Sequence, residues 1–321
     1  MRENNLKLGK ELACYFNKKY GVITYSGTLA IEVALSLVFN ENDNILVSSE
    51  VCYSIVNTVL KLKMNPIIVK PKNNIFLTDE DIDNAIEKYN INGIMLVHQF
   101  GILNAINLMK YKSLGIKVIE DVAQAWNVGS KSYEVGALSD IVVTSFGKTK
   151  PLSYGIGGGL FFNNIEVIDK LDFCDNYSRE NRNILLSYLY PLCQEVNLQN
   201  LVSTANKVII EQRNAANKYC ELLENNVYIE HLNVSNDVQN SWHRFPIWVK
   251  DNKKFKQILK LLEQLDIEYQ LPHKISLLEL EKIKECKSIY ENNNLNIVLL
   301  RTRNINLKVQ ENKIKKLLKM L

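Results

Sequence analysis

Val118-Ile119-Glu120-Asp121-Val122-Ala123-Gln124-Ala125 begins β-branched and turns acidic at Glu120 and Asp121, as a strand does when it ends in an acid. Working outward, similar short apolar runs recur at Val22-Ile23-Thr24-Tyr25, Ile45-Leu46-Val47-Ser48, Ile67-Ile68-Val69, Ile94-Met95-Leu96-Val97, Ile141-Val142-Val143-Thr144 and Leu160-Phe161-Phe162. With Lys117–Glu120 they make the candidate strands of one domain. Between them, Leu29–Phe39, Ser54–Lys63, Asp79–Tyr89 and Leu103–Leu114 read as helices, and Thr78 with Asp79, Glu80 and Asp81 supplies an N-cap and an acidic first turn. Strands alternating with helices predict an α/β domain with a mostly parallel, seven-stranded sheet covered on both faces.

Residues 164–203 are less regular and rich in Asn, Tyr and Arg, whereas Thr204–Asn225 reads as a long amphipathic helix. The domain change is expected after it, giving a large domain over 1–225 and a small α+β domain over 226–321. The small domain is built from a strand at Arg244–Val249, a helix over Lys253–Leu265, a strand at Ile267–Gln270 and a final helix from Gln310.

A length of 321 residues with 46% hydrophobic and 23% charged residues suffices for two cores. The net charge of +4 is spread without a single-sign block, so no nucleic-acid or membrane footprint stands out. Lys313, Lys315, Lys316 and Lys319 are the densest basic group and read as the solvated face of the terminal helix. No signal-length apolar segment follows the polar start, so the expectation is a cytoplasmic protein. The cysteines Cys14, Cys52, Cys174, Cys193, Cys220 and Cys286 form no C-x-x-C pair and are expected to be mostly buried thiols rather than a metal or disulfide framework. The histidines His98, His231, His243 and His273 show no metal-ligand spacing, so no metal is expected.

Two chemical features coincide. Asp121 at a strand end lies where open α/β sheets bind ligands, and Gln124 follows three residues later. Downstream, Ser145-Phe146-Gly147-Lys148-Thr149-Lys150 leads into Gly155-Ile156-Gly157-Gly158-Gly159 and offers two amines, Lys148 and Lys150. A lysine to form a Schiff base and a carboxylate to keep a ring nitrogen protonated are what pyridoxal 5'-phosphate requires. Gln124 is placed to meet the phenolic oxygen, although Asp121 and Gln124 also fit a helix cap and its capping-box partner. Tyr25-Ser26-Gly27-Thr28-Leu29-Ala30 joins strand to helix, so the amides of Gly27, Thr28 and Leu29 and the Thr28 hydroxyl suit a phosphate. A plain strand-to-helix turn accounts for the same residues.

Ser26-Gly27-Thr28, Val97-His98-Gln99-Phe100-Gly101, Ile119–Ala125 and Ser145-Phe146-x-x-x-Lys150 with Gly155-x-Gly157-Gly158 resemble, in order, the motifs of the DegT/DnrJ/StrS family. Those are fold-type I, pyridoxal-phosphate-dependent aminotransferases acting mainly on nucleotide-linked keto sugars. The resemblance is good over about residues 9–163 and weaker beyond, where Glu211-Gln212-Arg213 and Arg244-Phe245-Pro246 look like landmarks. It implies that Lys150 carries the Schiff base, that Asp121 meets the pyridine nitrogen and Gln124 the phenolic oxygen, and that Ser145, Thr28 and Leu29 hold the phosphate. It also implies a homodimer with the active site at the interface, glutamate or a similar amino donor, and a role in making sugars for surface polysaccharides or antibiotics.

Three departures stand against the family pattern. Cys52 occupies the position of the aromatic residue that usually stacks on the ring, leaving Cys52 or its neighbour Tyr53 to pack there. Ile156 replaces the common glutamate of the glycine motif, and the family's Gly-Tyr-Asn-Tyr-Arg loop has no clear counterpart, with Asn176 as a stand-in for its phosphate-binding asparagine. Two alternatives stand beside this reading, the second motivated by these departures. One is a sugar dehydratase of the same superfamily, against which Lys150 and the missing iron–sulfur cysteines weigh. The other is a catalytically silent relative that binds a nucleotide sugar or a partner protein.

Overall fold

The structure, a computed structural model, describes residues 2–72, 75–168, 171, 196–232, 237–272, 288–289 and 296–321. Its large sheet has the strand order β1-β8-β7-β5-β4-β2-β3-β13. The strands are β1 (Tyr20–Thr24), β2 (Asn44–Ser48), β3 (Asn65–Val69), β4 (Gly93–Val97), β5 (Lys117–Asp121), β7 (Ile141–Ser145), β8 (Gly158–Phe162) and β13 (Ser288–Ile289). Strands β7, β5, β4, β2 and β3 pair in parallel, β8 runs antiparallel between β7 and β1, and β13 adds two residues parallel to β3. The seven strands expected from the apolar runs are all in this sheet. The added strand β13 lies beyond them in sequence, in a stretch with no strand expectation.

Helices α2 (Gly27–Val38) and α3 (Tyr53–Lys61) cover one face, packing Ala30, Leu35, Ile55 and Val59 against Ile45, Ile119 and Val143. Helices α4 (Asp79–Lys88) and α5 (Leu108–Ser113) cover the other, with Ile82 and Tyr111 against Leu46, Ile94 and Val118. Side chains alternate faces along a strand, which is why Ile119 and Val118 enter different cores. At the start of α4 the Asp81 N–H donates to Thr78 Oγ1 at 3.2 Å and the Thr78 N–H returns a bond to Asp81 Oδ2 at 2.9 Å, a complete capping box. Helix α5 is shorter than the expected Leu103–Leu114 because side chains from elsewhere capture the preceding amides. Leu103 N–H donates to Asn240 Oδ1 (2.8 Å) and Asn104 N–H to His98 Nδ1 (3.1 Å), so the helix starts only where Asn107 caps it.

An unexpected helix α1 (Arg2–Ala13) closes the β1 edge. The Asn5 side-chain amide donates to Ile23 O (2.8 Å) and accepts from Ile23 N–H (2.9 Å), as a neighbouring strand would. A Cβ on Gly9 would lie 2.0 Å from Gly21 O, so glycine lets the helix touch the strand.

Helix α6 (Leu198–Leu223) begins six residues before the expected Thr204, where Asn197 accepts from Asn200 N–H. Its first turns pack Ala205 and Ile209 with Leu12, Trp126 and Phe161, and its last turns pack Ala216, Tyr219 and Leu223 with Phe245, Ile247 and Val298. The second core surrounds a small antiparallel sheet ordered β12 (Tyr269–Gln270), β14 (Asn296–Leu300), β11 (Phe245–Val249), β9 (Ile229–His231). Its covering helices are α7 (Asn252–Gln264) and α8 (Leu307–Met320), the latter starting three residues before the expected Gln310 because Asn306 caps it. Strand β14 was not expected although it lies at the sheet's centre. A further hairpin-like pair, β6 (Gly129–Ser130) and β10 (Val238–Gln239), ties the segment before β11 to the large unit.

Candidate active site

Asp121 ends β5 at the carboxyl edge of the sheet and is buried. Its Oδ1 accepts from Ala123 N–H at 2.8 Å, leaving Oδ2 available as an acceptor. Burial pushes its carboxyl above the usual range, opposed by that N–H and by the Lys150 ammonium nearby. Gln124 has a fixed amide orientation: its Oε1 accepts from Phe100 N–H at 2.7 Å, so its NH2 is the end free to donate. The capping-box reading of this pair does not apply, because each side chain is held by a different backbone group.

The strand-to-helix turn Ser26–Gly27 lies directly on Ser145 and the glycine motif. A Cβ on Gly27 would stand 2.8 Å from Ser145 Cβ, and one on Gly158 only 2.5 Å from Gly27 N. Ser26 pairs with Gly157, and Phe146 N–H donates to Gly157 O at 2.9 Å, which stitches the three segments into one cradle. The N-cap is Ser26, which takes the Leu29 N–H at 3.1 Å. The amides at Gly27 and Thr28 therefore open this helix towards Ser145.

The two lysines separate by environment. Lys148 is exposed, whereas Lys150 is half-buried with its Cγ 3.9 Å from a Cβ built on Gly147. Its ammonium acts electrostatically on both Asp121 and His243. Cys52 is exposed at the N-cap of α3 and its Sγ accepts from Ser54 Oγ at 3.2 Å. Tyr53 packs against the core under α2 and α3, with its hydroxyl on Asn57 at 3.3 Å. The expectation that most cysteines are buried fails for Cys14 and Cys52, which are exposed, and Cys220 is half-buried; Cys174, Cys193 and Cys286 lie outside the described residues. Asn176 also lies outside them. Ile156 is exposed in the glycine turn.

Several polar residues around this edge were not singled out by the sequence. His98 follows β4, is fully buried, and takes Asn104 N–H on Nδ1, so Nε2 bears the proton directed at Glu120 Oε1, 3.2 Å away. Glu120 points to the face opposite Asp121, where Tyr133 Oη (2.9 Å) and Gly136 N–H (2.7 Å) complete its shell. Burial would raise its carboxyl, but the bonds from His98 and Gly136 outweigh that and hold it low. From the small unit, Ser241 and Trp242 N–H donate to Gly101 O (2.7 and 3.1 Å), and this turn carries buried His243 toward Lys150. Arg303, after β14, reaches the Lys150 carbonyl with Nη1 at 3.5 Å. The only signal for these was adjacency to noticed motifs, His98 inside Val97–Gly101 and His243 beside Arg244.

A cradle in which Gly27 and Gly158 leave no room for a Cβ, a buried carboxylate and a half-buried amine are the groups pyridoxal phosphate needs, so the residues fit this cofactor.

Comparison with known proteins agrees. The chain is 26% identical over 166 residues to GDP-perosamine synthase of Vibrio cholerae, a match spanning 50% of this chain and 44% of that protein, less than two thirds of the relative's length. It is 27% identical over 264 residues to dTDP-3-amino-3,6-dideoxy-alpha-D-galactopyranose transaminase of Aneurinibacillus thermoaerophilus, covering 78% of this chain and 71% of that one. The fold superposes on a DegT DnrJ EryC1 StrS aminotransferase from Brucella abortus with a TM-score of 0.79 over 98% of this chain and 89% of the other, at 17% identity. Residues 2–287 match the profile of the DegT/DnrJ/EryC1/StrS aminotransferase family, and the chain belongs to that family.

Proposed function

We propose that this protein is a pyridoxal-phosphate-dependent aminotransferase that moves an amino group from glutamate, or a similar donor, to a nucleotide-linked keto sugar. The observation that carries the reading is Lys150, half-buried beside Asp121 and the Ser26–Gly27, Ser145 and Gly157–Gly158 cradle. The cofactor, when bound, supplies an aldehyde for amines and a protonated ring that draws electrons from the carbon being deprotonated.

The chain's own residues have separate tasks. Gly27 and Thr28 amides with the Ser145 hydroxyl take the phosphate at the positive end of α2, while Leu29 contributes through the cap that shapes the turn. Asp121 keeps the ring nitrogen protonated, and the Gln124 NH2 donates to the phenolic oxygen. Lys150 would be the amine that holds the cofactor and the group that takes and returns the proton at the substrate carbon. Cys52, exposed at the N-cap of α3, or its neighbour Tyr53 would pack over the ring.

The same reading places the protein in the cytoplasm as a homodimer whose interface completes the site, in the supply of sugars for surface polysaccharide. Among the described residues no helix is long and apolar enough to cross a membrane. The test is spectroscopic. Protein purified with cofactor should absorb in the visible, lose that band on adding glutamate, and regain it with a nucleotide-linked keto sugar. Lys150→Ala should lack the band, and a variant that keeps it overturns the assignment of Lys150.

A further inference from the structure

Helices α7 and α8 lie side by side in opposite directions over the small sheet. Near the start of α7, Lys254 Nζ donates to Leu321 O at 2.8 Å and Gln257 Nε2 to Met320 O at 3.2 Å, whereas Asp266, just past its other end, takes Lys313 Nζ on Oδ2 at 2.9 Å. Ile258, Leu261 and Leu262 of α7 and Ile314 and Leu317 of α8 face the core, so the opposite stripes of the two helices form one outer surface. The two helices carry nine lysines and two glutamates, although the net charge of the whole chain is only +4. The rest of the molecule is therefore net acidic. Among the described residues, Lys253, Lys256, Lys260, Lys308, Lys316 and Lys319 are exposed and make no ion pair, while Lys313 pairs with Asp266 and Lys315 with Glu311. Like charges four residues apart, as at Lys256 and Lys260, destabilise a helix, so the fold itself does not call for this arrangement.

At one end this basic surface meets exposed apolar side chains. While bonded to Leu321 O, Lys254 Nζ also stands 4.2 Å from the centre of the Tyr228 ring, which brings the turn before β9 against the end of α8. In that corner Val227 is 84% exposed, Met320 50% and Tyr228 39%. Lysines around a small apolar tip with a tyrosine suit a lipid surface: the ammonium groups meet anionic headgroups, Val227 and Met320 enter the acyl boundary, and the tyrosine rests at headgroup level. A nucleic-acid backbone would satisfy the lysines but leave Val227 and Met320 without a partner. Taken singly, each lysine run is a solvated helix face; the fold puts two of them on one side.

We propose that the outer face of α7 and α8, with the Val227–Tyr228 turn, is a docking surface for an anionic lipid bilayer and holds the protein reversibly at a membrane. The inference goes beyond the aminotransferase reading and does not depend on it, since none of these side chains belongs to the site around Lys150. Each ammonium group near an anionic leaflet strengthens partition by about fivefold, so six of them suffice for reversible, salt-sensitive attachment without a spanning helix.

The experiment is cosedimentation of the full, cofactor-loaded chain with vesicles of phosphatidylcholine, alone or mixed equally with phosphatidylglycerol. Wild type should bind the mixed vesicles at low salt, leave them at high salt and ignore phosphatidylcholine alone. Replacing Lys256, Lys260 and Lys316 together by Gln should weaken that binding by about 10²-fold. The pair Val227→Ser and Met320→Ser should weaken it by roughly tenfold while leaving binding to duplex DNA of random sequence unchanged. Failure of wild type to bind the mixed vesicles at low salt, or undiminished binding by the triple lysine variant, overturns the docking surface. Tighter binding to the DNA than to the mixed vesicles, with no effect of the Val227 and Met320 changes on either, assigns the face to nucleic acid and overturns it too. Thermal denaturation midpoints of the variants close to that of wild type show that a loss of vesicle binding is not a loss of fold.

Discussion

At the residue scale, environment decides which of several identical side chains has a task. Lys148 and Lys150 are two residues apart, yet Lys148 is exposed and Lys150 is half-buried and felt by Asp121 and His243. On the proposed role of Asp121, Asp121→Asn removes the charge offered to the ring while keeping the Ala123 bond available, so turnover should fall by about 10²-fold with the protein still folded, as steady-state kinetics beside thermal denaturation would show. Lys18 is a different kind of buried amine. It is 5% exposed, donates to Ser139 O, and burial lowers it to about 8, against the pull of Glu120 and Asp140. Between pH 8 and 10.5 the unfolded chain holds a proton on Lys18 that the native state has released, so native stability should rise with pH by up to about 3 kcal/mol across that window. Urea denaturation of wild type against Lys18→Met isolates this contribution, and parallel pH dependences would refute it. His243 runs in the acid range. Burial, with Arg244, Lys150 and Arg303 adding to it, lowers it to about 3, so its contribution makes wild type lose stability as pH falls from 6.5 towards 3, and His243→Asn should lose less.

At the element scale, contacts between backbones set the site's geometry. Gly101 has φ +74, and a Cβ there would lie 2.3 Å from Ser241 Oγ, 2.7 Å from His243 N and 2.8 Å from Gln124 O. Gly101→Ala should therefore destabilise by at least about 2 kcal/mol and disturb Gln124 at the same time, seen as a lower midpoint and weaker cofactor retention. Helix α1 makes a separable contribution. Asn5→Ala leaves Ile23 N–H and O without their partner at a buried edge, and a loss of about 1–3 kcal/mol is expected in chemical denaturation. The seven strands of the large sheet and helices α2, α3 and α4 were legible because their apolar periodicity is local. Helix α1 was not, since its first residues are polar and its stability comes from packing Leu8 and Leu12 beside Trp126 and Phe161. Strand β14 was missed although Ile297-Val298-Leu299-Leu300 is apolar, because a run of that length fits a buried strand or a helix turn equally.

At the scale of the whole molecule, α6 joins two cores, and Arg213 on it fastens both sides. Its Nε donates to Asn240 O at 2.7 Å and its Nη2 to Asn127 O at 2.9 Å. Arg213→Ala should raise hydrogen exchange in the segment around Asn240 before it affects β4 or β5, whereas uniform acceleration would mean that α6 does not divide the molecule. The sequence by itself determined the α/β order, the family and the candidate cofactor-facing residues, because strand-end acids, glycine turns and a lysine at fixed spacing are local in the chain. Only the tertiary structure decided that Ser26 caps α2, that Lys150 is half-buried where Lys148 is exposed, and that His243 and Arg303 come close to Lys150. Asn240, Trp242 and Thr302 are distant in sequence from the residues they hold, and no periodicity encodes a contact that closes only when two cores pack against one helix.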